Sequence, residues 1–85
     1  VSGDYKREPD PTCEPFELIE CDSFVTESTF GLPAFQWPQP TKVFEQINDW
    51  WRNNQQAGKT SVLMGYALGK SQRLLAGVDP SIGPI

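Results

Sequence analysis

Any chemistry in this chain must be done without histidine, because it has none. That excludes Ser-His and Cys-His nucleophilic pairs, and a self-contained zinc site of the usual histidine-rich kind. The two cysteines, Cys13 and Cys21, have a spacing that fits no zinc knuckle, and no second pair completes four ligands. They allow one disulfide closing a short loop. No basic-then-apolar leader opens the chain, so we read them as two reduced, partly buried thiols in a cytoplasmic protein. The carboxylates are unevenly spread. Residues 1–30 carry eight acids and two bases, whereas residues 31–85 carry five bases and three acids, for a net charge of −4. Such a balance makes a poor non-specific nucleic-acid binder, because neutralising phosphates needs clustered Lys and Arg. Most of the acids read as solvated surface.

Gly65-Tyr66-Ala67-Leu68-Gly69-Lys70-Ser71 has the flavour of a phosphate-cradling loop. The P-loop needs four residues between its glycines and this stretch has three, which changes the closure of the loop and the aim of its amides. We therefore reject nucleoside-triphosphate binding here. A helix N-terminus with Lys70 beside it still favours an anion.

The elements that must position these groups are read from proline and apolar spacing. Six of the eight prolines lie in residues 1–40, and none lies between Thr41 and Asp79. The first part is expected to be extended segments and turns, the second regular structure. Residues 1–5 read as the end of a strand and residues 22–28, with Phe24, Val25 and Thr26, as a short one. Val43, Phe44, Ile47, Trp50 and Trp51 fall on one face of a helix over residues 41–57, with Thr41 as N-cap and Gly58 as the C′ residue. Residues 60–67 form a continuous apolar run that suits a buried parallel strand against which this helix packs. A short helix over residues 69–76 ends at Gly77, with Pro80 beyond it. The order from residue 22 is strand, helix, strand, helix, which is α/β logic. At 38% hydrophobic residues the composition argues against wholesale disorder, and no apolar run reaches the ~20 residues of a membrane span, so no membrane partner is expected. The chain opens on Val1 and stops just after Gly83-Pro84, and we read it as an excerpt or processed product.

Three segments in this order carry a family resemblance: Ser2-Gly3-Asp4, Glu27-Ser28-Thr29-Phe30-Gly31, and Tyr66-Ala67-Leu68-Gly69-Lys70-Ser71-Gln72. Together they resemble the metallo-β-lactamase nucleases that carry a β-CASP domain. The nearest subgroup is the bacterial ligase-associated DNA exonucleases, some of which are labelled mRNA 3′-end processing factors. Asp79-Pro80-Ser81-Ile82-Gly83-Pro84-Ile85 is similar to that subgroup as well. Lys70 stands where the family more often has Arg, and Arg73 where it often has Glu.

The resemblance implies a fragment of that α/β fold. Residues 1–31 would be the C-terminal part of a metallo-β-lactamase-type segment, and residues 32–85 the start of a β-CASP-like segment. It implies a metal-dependent phosphodiesterase acting on single-stranded DNA or RNA, with two divalent ions, zinc or else manganese, in the parent protein and none in this chain alone. An ATP-dependent DNA ligase is an implied partner. Asp4 would be a metal ligand, since a hard carboxylate suits a bridging position. Glu27 would be catalytic, paired with a histidine outside this chain, while Ser28 and Thr29 would support its loop by bonds to the backbone. Lys6 and Lys70 would make weak substrate contacts, and Arg7 lies close enough to Asp4 in sequence to meet a phosphate. Without the histidines, these 85 residues alone should be inactive. The competing reading is a small non-enzymatic α/β interaction module that docks through the Trp50/Trp51 face.

Overall fold

Pro38 and Pro40 hold the residue between them extended, and this fixes where the first helix begins. Gln39 has φ −57° and ψ 131°, the conformation that a proline imposes on the residue before it. Pro40 then takes the first helical position, where its missing N–H costs nothing. In the computed structural model, which describes residues 1–85, α1 runs Pro40–Gln56. The N-cap is thus Gln39, not Thr41, and it makes no side-chain capping bond. The other end agrees with the expectation from sequence. Gly58 has φ 67°, its N–H donates to Gln55 O at 3.0 Å, and the Lys59 N–H donates to Asn54 O at 2.8 Å. This pair of bonds is the Schellman closure, and it needs a residue that tolerates a positive φ at C′.

The half-buried positions of α1 are Val43, Phe44, Ile47, Asn48, Trp51 and Asn54, a single stripe. Two of them, Phe44 and Asn48, reach the end of α2, Lys70–Gly77, and the turn beyond it. Gly77 lies so close to Phe44 that an added Cβ would overlap the ring. Asn48 Oδ1 accepts from the Asp79 N–H at 3.0 Å. Asp79 Oδ1 accepts from the Ser81 hydroxyl at 2.7 Å and the Ser81 N–H at 2.9 Å. Those bonds close the turn and hold the Asp79 carboxyl below its ordinary range. The turn delivers Ile82, the one buried hydrophobic side chain.

The expected sheet does not form, so the α/β assignment is corrected: the structure has two helices and no strand. Residues 61–66 have no strand partner. Val62, Met64 and Tyr66 are 73%, 89% and 79% exposed, and α1 meets the end of α2, through Phe44 and Gly77, rather than a strand. The reason is physical. An apolar run with both faces apolar needs neighbours on both edges and cover on both faces, and a chain of 85 residues supplies neither.

The chain divides into two units, Val1–Trp37 and Pro38–Ile85. The first is held by a single parallel bridge between Ser2 and Thr26, in which the Ser2 N–H donates to Val25 O at 2.9 Å. Tyr5 stacks on Phe16 at 5.8 Å and meets Phe24 edge-on at 5.9 Å. Asp10 organises the turn after Glu8-Pro9. It accepts from the Thr12 hydroxyl at 2.7 Å, from the Thr12 N–H at 3.0 Å and from Lys6 Nζ at 2.6 Å. Cys13 and Cys21 are free thiols, as expected, but both are exposed rather than partly buried. No helix is long and apolar enough to cross a membrane.

Gly77→Ala should destabilise Pro38–Ile85 by about 1–3 kcal/mol through overpacking against Phe44, although alanine favours a helix by roughly 1 kcal/mol. Urea melting of the helical circular dichroism signal reads the sign, and a stabilised variant would show that the Phe44–Gly77 contact is not there. A second expectation concerns pH. Lys6 above all, then Thr12, holds the Asp10 carboxyl well below the usual carboxylate range. Its contribution to the turn is therefore complete above the unfolded value of about 3.9 and fades as pH falls further toward the lower folded value. Carboxyl-carbon NMR should find Asp10 still ionised at a pH where exposed aspartates are mostly protonated. A titration midpoint at the ordinary value would remove the Lys6–Asp10 pair.

Candidate functional site

In a parallel bridge both segments run the same way, so the residues after each bridged position emerge at the same end. Gly3-Asp4 comes after Ser2, and Glu27-Ser28 after Thr26. Residues 3–7 and 27–30 accordingly line one open hollow of about 530 Å³. Asp4, Lys6 and Glu27, three residues singled out in the sequence, share it, and Arg7 joins them.

Glu27 is oriented by its own loop. Thr29 Oγ1 donates to Glu27 Oε2 at 2.9 Å, so one carboxylate oxygen is held and the other is left for a second partner. This is a side-chain to side-chain bond, in place of the backbone bond expected of Thr29. Phe30, next in the loop, meets Phe35 at 5.2 Å and Trp37 at 5.5 Å, both edge-to-face. The two cations differ. Lys6 is spent on Asp10, whose side chain is only 7% exposed, while Arg7 enters no ion pair. The turn-rich reading of Glu8-Pro9-Asp10-Pro11-Thr12 agrees with the structure, and what it did not specify is that Asp10 closes the turn: an aspartate reaching the amide and hydroxyl two residues on is the common Asx arrangement.

The donor chemistry of the hollow is hard and anionic, which suits a divalent cation. No group of three or more His, Cys, Asp or Glu side chains is positioned to hold a metal ion. The residues present therefore do not by themselves fit a metal pair. What they can do is orient a carboxylate, through Thr29, and set a guanidinium in the same hollow.

Lys70, the fourth sequence candidate, does not line the hollow. It belongs to Pro38–Ile85, where its ammonium lies 5.1 Å from the centre of the Tyr66 ring. The surrounding loop is closed on itself. The Ser71 hydroxyl donates to Tyr66 O at 2.7 Å, the Ser71 N–H goes to the same carbonyl, and Gln72 Nε2 donates to Ala67 O at 2.9 Å. The serine of the P-loop-like stretch is thus engaged by its own loop. A second hollow of about 300 Å³ lies beside Trp50, Trp51, Leu63, Leu74, Val78 and Ile85. Trp51 is half-buried and Trp50 is 41% exposed. Ser61 and Ser71 also reach this hollow, but Ser61 already accepts from Asn54 Nδ2. It is an apolar surface without free converging polar groups.

Comparison with known proteins gives one informative likeness. No protein-family model matches the chain, and no solved structure matches it. Over 84 residues, 99% of its length, the chain is 31% identical to a "Probable DNA ligase" of Opitutus terrae (strain DSM 11246 / JCM 15787 / PB90-1), and it spans 8% of the length of that relative.

Proposed function

We propose that this chain works in DNA processing, as a segment of a metal-dependent phosphodiesterase of the metallo-β-lactamase/β-CASP type, in a cytoplasmic protein. The observation that carries this reading is the shared hollow of Asp4 and Glu27, two carboxylates that lie twenty-three residues apart in sequence. The likeness to a stretch of a probable DNA ligase supports the DNA-processing part. It also supports a working association with ligase chemistry, because a segment like this one lies within a polypeptide of that name. The nuclease part rests on the resemblance of the three motifs. In this reading Asp4 gives one carboxylate to a two-ion site whose other donors lie outside these residues. Glu27, held by Thr29, keeps a proton-carrying partner oriented at the leaving group. The substrate is a single strand of DNA or RNA.

A self-contained interaction module is less well supported. Such a module expects few large apolar groups in solvent, and nineteen large hydrophobic residues are exposed.

The test uses the protein at its natural length. Asp4→Ala should lower bound zinc or manganese, measured by elemental analysis, and Glu27→Gln should leave metal content and melting temperature intact. Single-turnover cleavage of an end-labelled single strand by the Gln variant should fall by roughly 10²–10⁴-fold, the scale of general acid–base assistance. Wild-type turnover in Glu27→Gln would take Glu27 out of the chemistry. Unchanged metal content in Asp4→Ala would do the same for Asp4.

A further inference from the structure

We infer that the hollow seats one nucleotide of a single strand, with the base stacked on Phe30 and its phosphate held by Arg7. The inference deepens the phosphodiesterase reading and rests on it for the identity of the ligand.

Charge sets the first limit. Val1–Trp37 holds eight acids and two bases, so it cannot draw a polyphosphate strand by bulk attraction. Within the hollow, Asp4 and Glu27 repel a phosphate. One of the two bases, Lys6, is neutralised by Asp10 at 2.6 Å. Arg7 is left as the cation able to answer a phosphate, and its planar fork gives two parallel donors where an ammonium gives a point charge. A single phosphate contact in an acidic setting is too little to hold a strand.

The remaining affinity must come from a contribution indifferent to the sign of charge, and base stacking on an aromatic ring is one. Phe30 lines the hollow and is 57% exposed. Its edge-to-face contacts with Phe35 and Trp37 fix the ring, which lowers the entropy lost when a base lands on it. A base inside a duplex is already stacked between neighbours, so this seat selects unpaired strands.

The experiment measures anisotropy of a labelled thymidylate hexamer with phosphorothioate linkages, beside an abasic hexamer of the same backbone and a matching duplex. The protein is used at its natural length, with manganese and separately with a chelator. Phe30→Leu should weaken the thymidylate hexamer by at least about five-fold and leave the abasic one unchanged, whereas Phe30→Tyr, which keeps a ring, should retain the preference for bases. Arg7→Ala should weaken both strands alike and flatten the salt dependence by about 0.7 in the log–log slope, the share of one single-strand phosphate contact. Lys42→Ala, at a residue that does not line the hollow, should change neither strand by more than about two-fold.

A base preference that survives Phe30→Leu, a salt slope unmoved by Arg7→Ala, duplex bound as well as single strand, or no binding by wild type would each overturn the inference. Cleavage of an ordinary phosphodiester strand is scored separately. Absent hydrolysis with the base preference intact sinks the nuclease reading alone. Hydrolysis with an indifferent Phe30 sinks the nucleotide seat alone.

Discussion

One hydrogen bond, from the Ser2 N–H to Val25 O at 2.9 Å, decides which side chains can meet in Val1–Trp37. It marks a parallel bridge, and parallel pairing sends both segments out at the same end. Asp4 and Glu27 share a hollow for that reason. The other contacts of Val1–Trp37 serve the same arrangement. Asp10 ties back Lys6 and shapes the turn, the stacked rings of Tyr5 and Phe16 tether the first segment, and Thr29 orients Glu27. An isolated bridge is weak by itself, because each ladder bond gains cooperativity from its neighbours and contributes only about 1 kcal/mol net. The aromatic contacts must therefore share the task of keeping the two segments together.

Pro38–Ile85 is organised by a different constraint, the close approach of α1 to the end of α2. A glycine at position 77 lets Phe44 lie against the backbone, and Asn48 then catches the Asp79 N–H. These contacts hold the turn that carries Ile82, and Gly83 just beyond lies near Gln55 and Trp51 of α1. They do not cover residues 61–66, whose side chains stay in solvent on one side while Ser61, Leu63 and Gly65 face the tryptophan hollow on the other. The alternation is that of an extended segment with one face occupied and one bare.

Local features were legible in the sequence, and features that need a distant partner were not. The apolar spacing from Val43 to Trp51 located α1, and Gly58 located its end, because both depend on residues a turn apart. The start was misplaced at Thr41, although Pro40 and the residue before it held the right signal. The run at residues 61–66 has the composition of a buried strand. Whether it becomes one depends on partners that composition does not report. The turn at Glu8-Pro9-Asp10-Pro11-Thr12 was legible from its prolines, but the bonds by which Asp10 closes it and ties back Lys6 were not. That Asp4 and Glu27 line one hollow was not legible, since no spacing rule joins residues twenty-three apart.

The most direct test of this account asks whether Asp4 and Glu27 share one space. Manganese titrated into nitrogen-15-labelled protein broadens amide signals near any carboxylate it visits, even when binding is weak. The account predicts that the amides of residues 3–5 and 27–29 broaden together, at the same manganese concentration. It also predicts that Ser2→Pro, which removes the bridging N–H, uncouples the two sets. Broadening of one set without the other in the unaltered protein would contradict the shared hollow and the functional reading built on it.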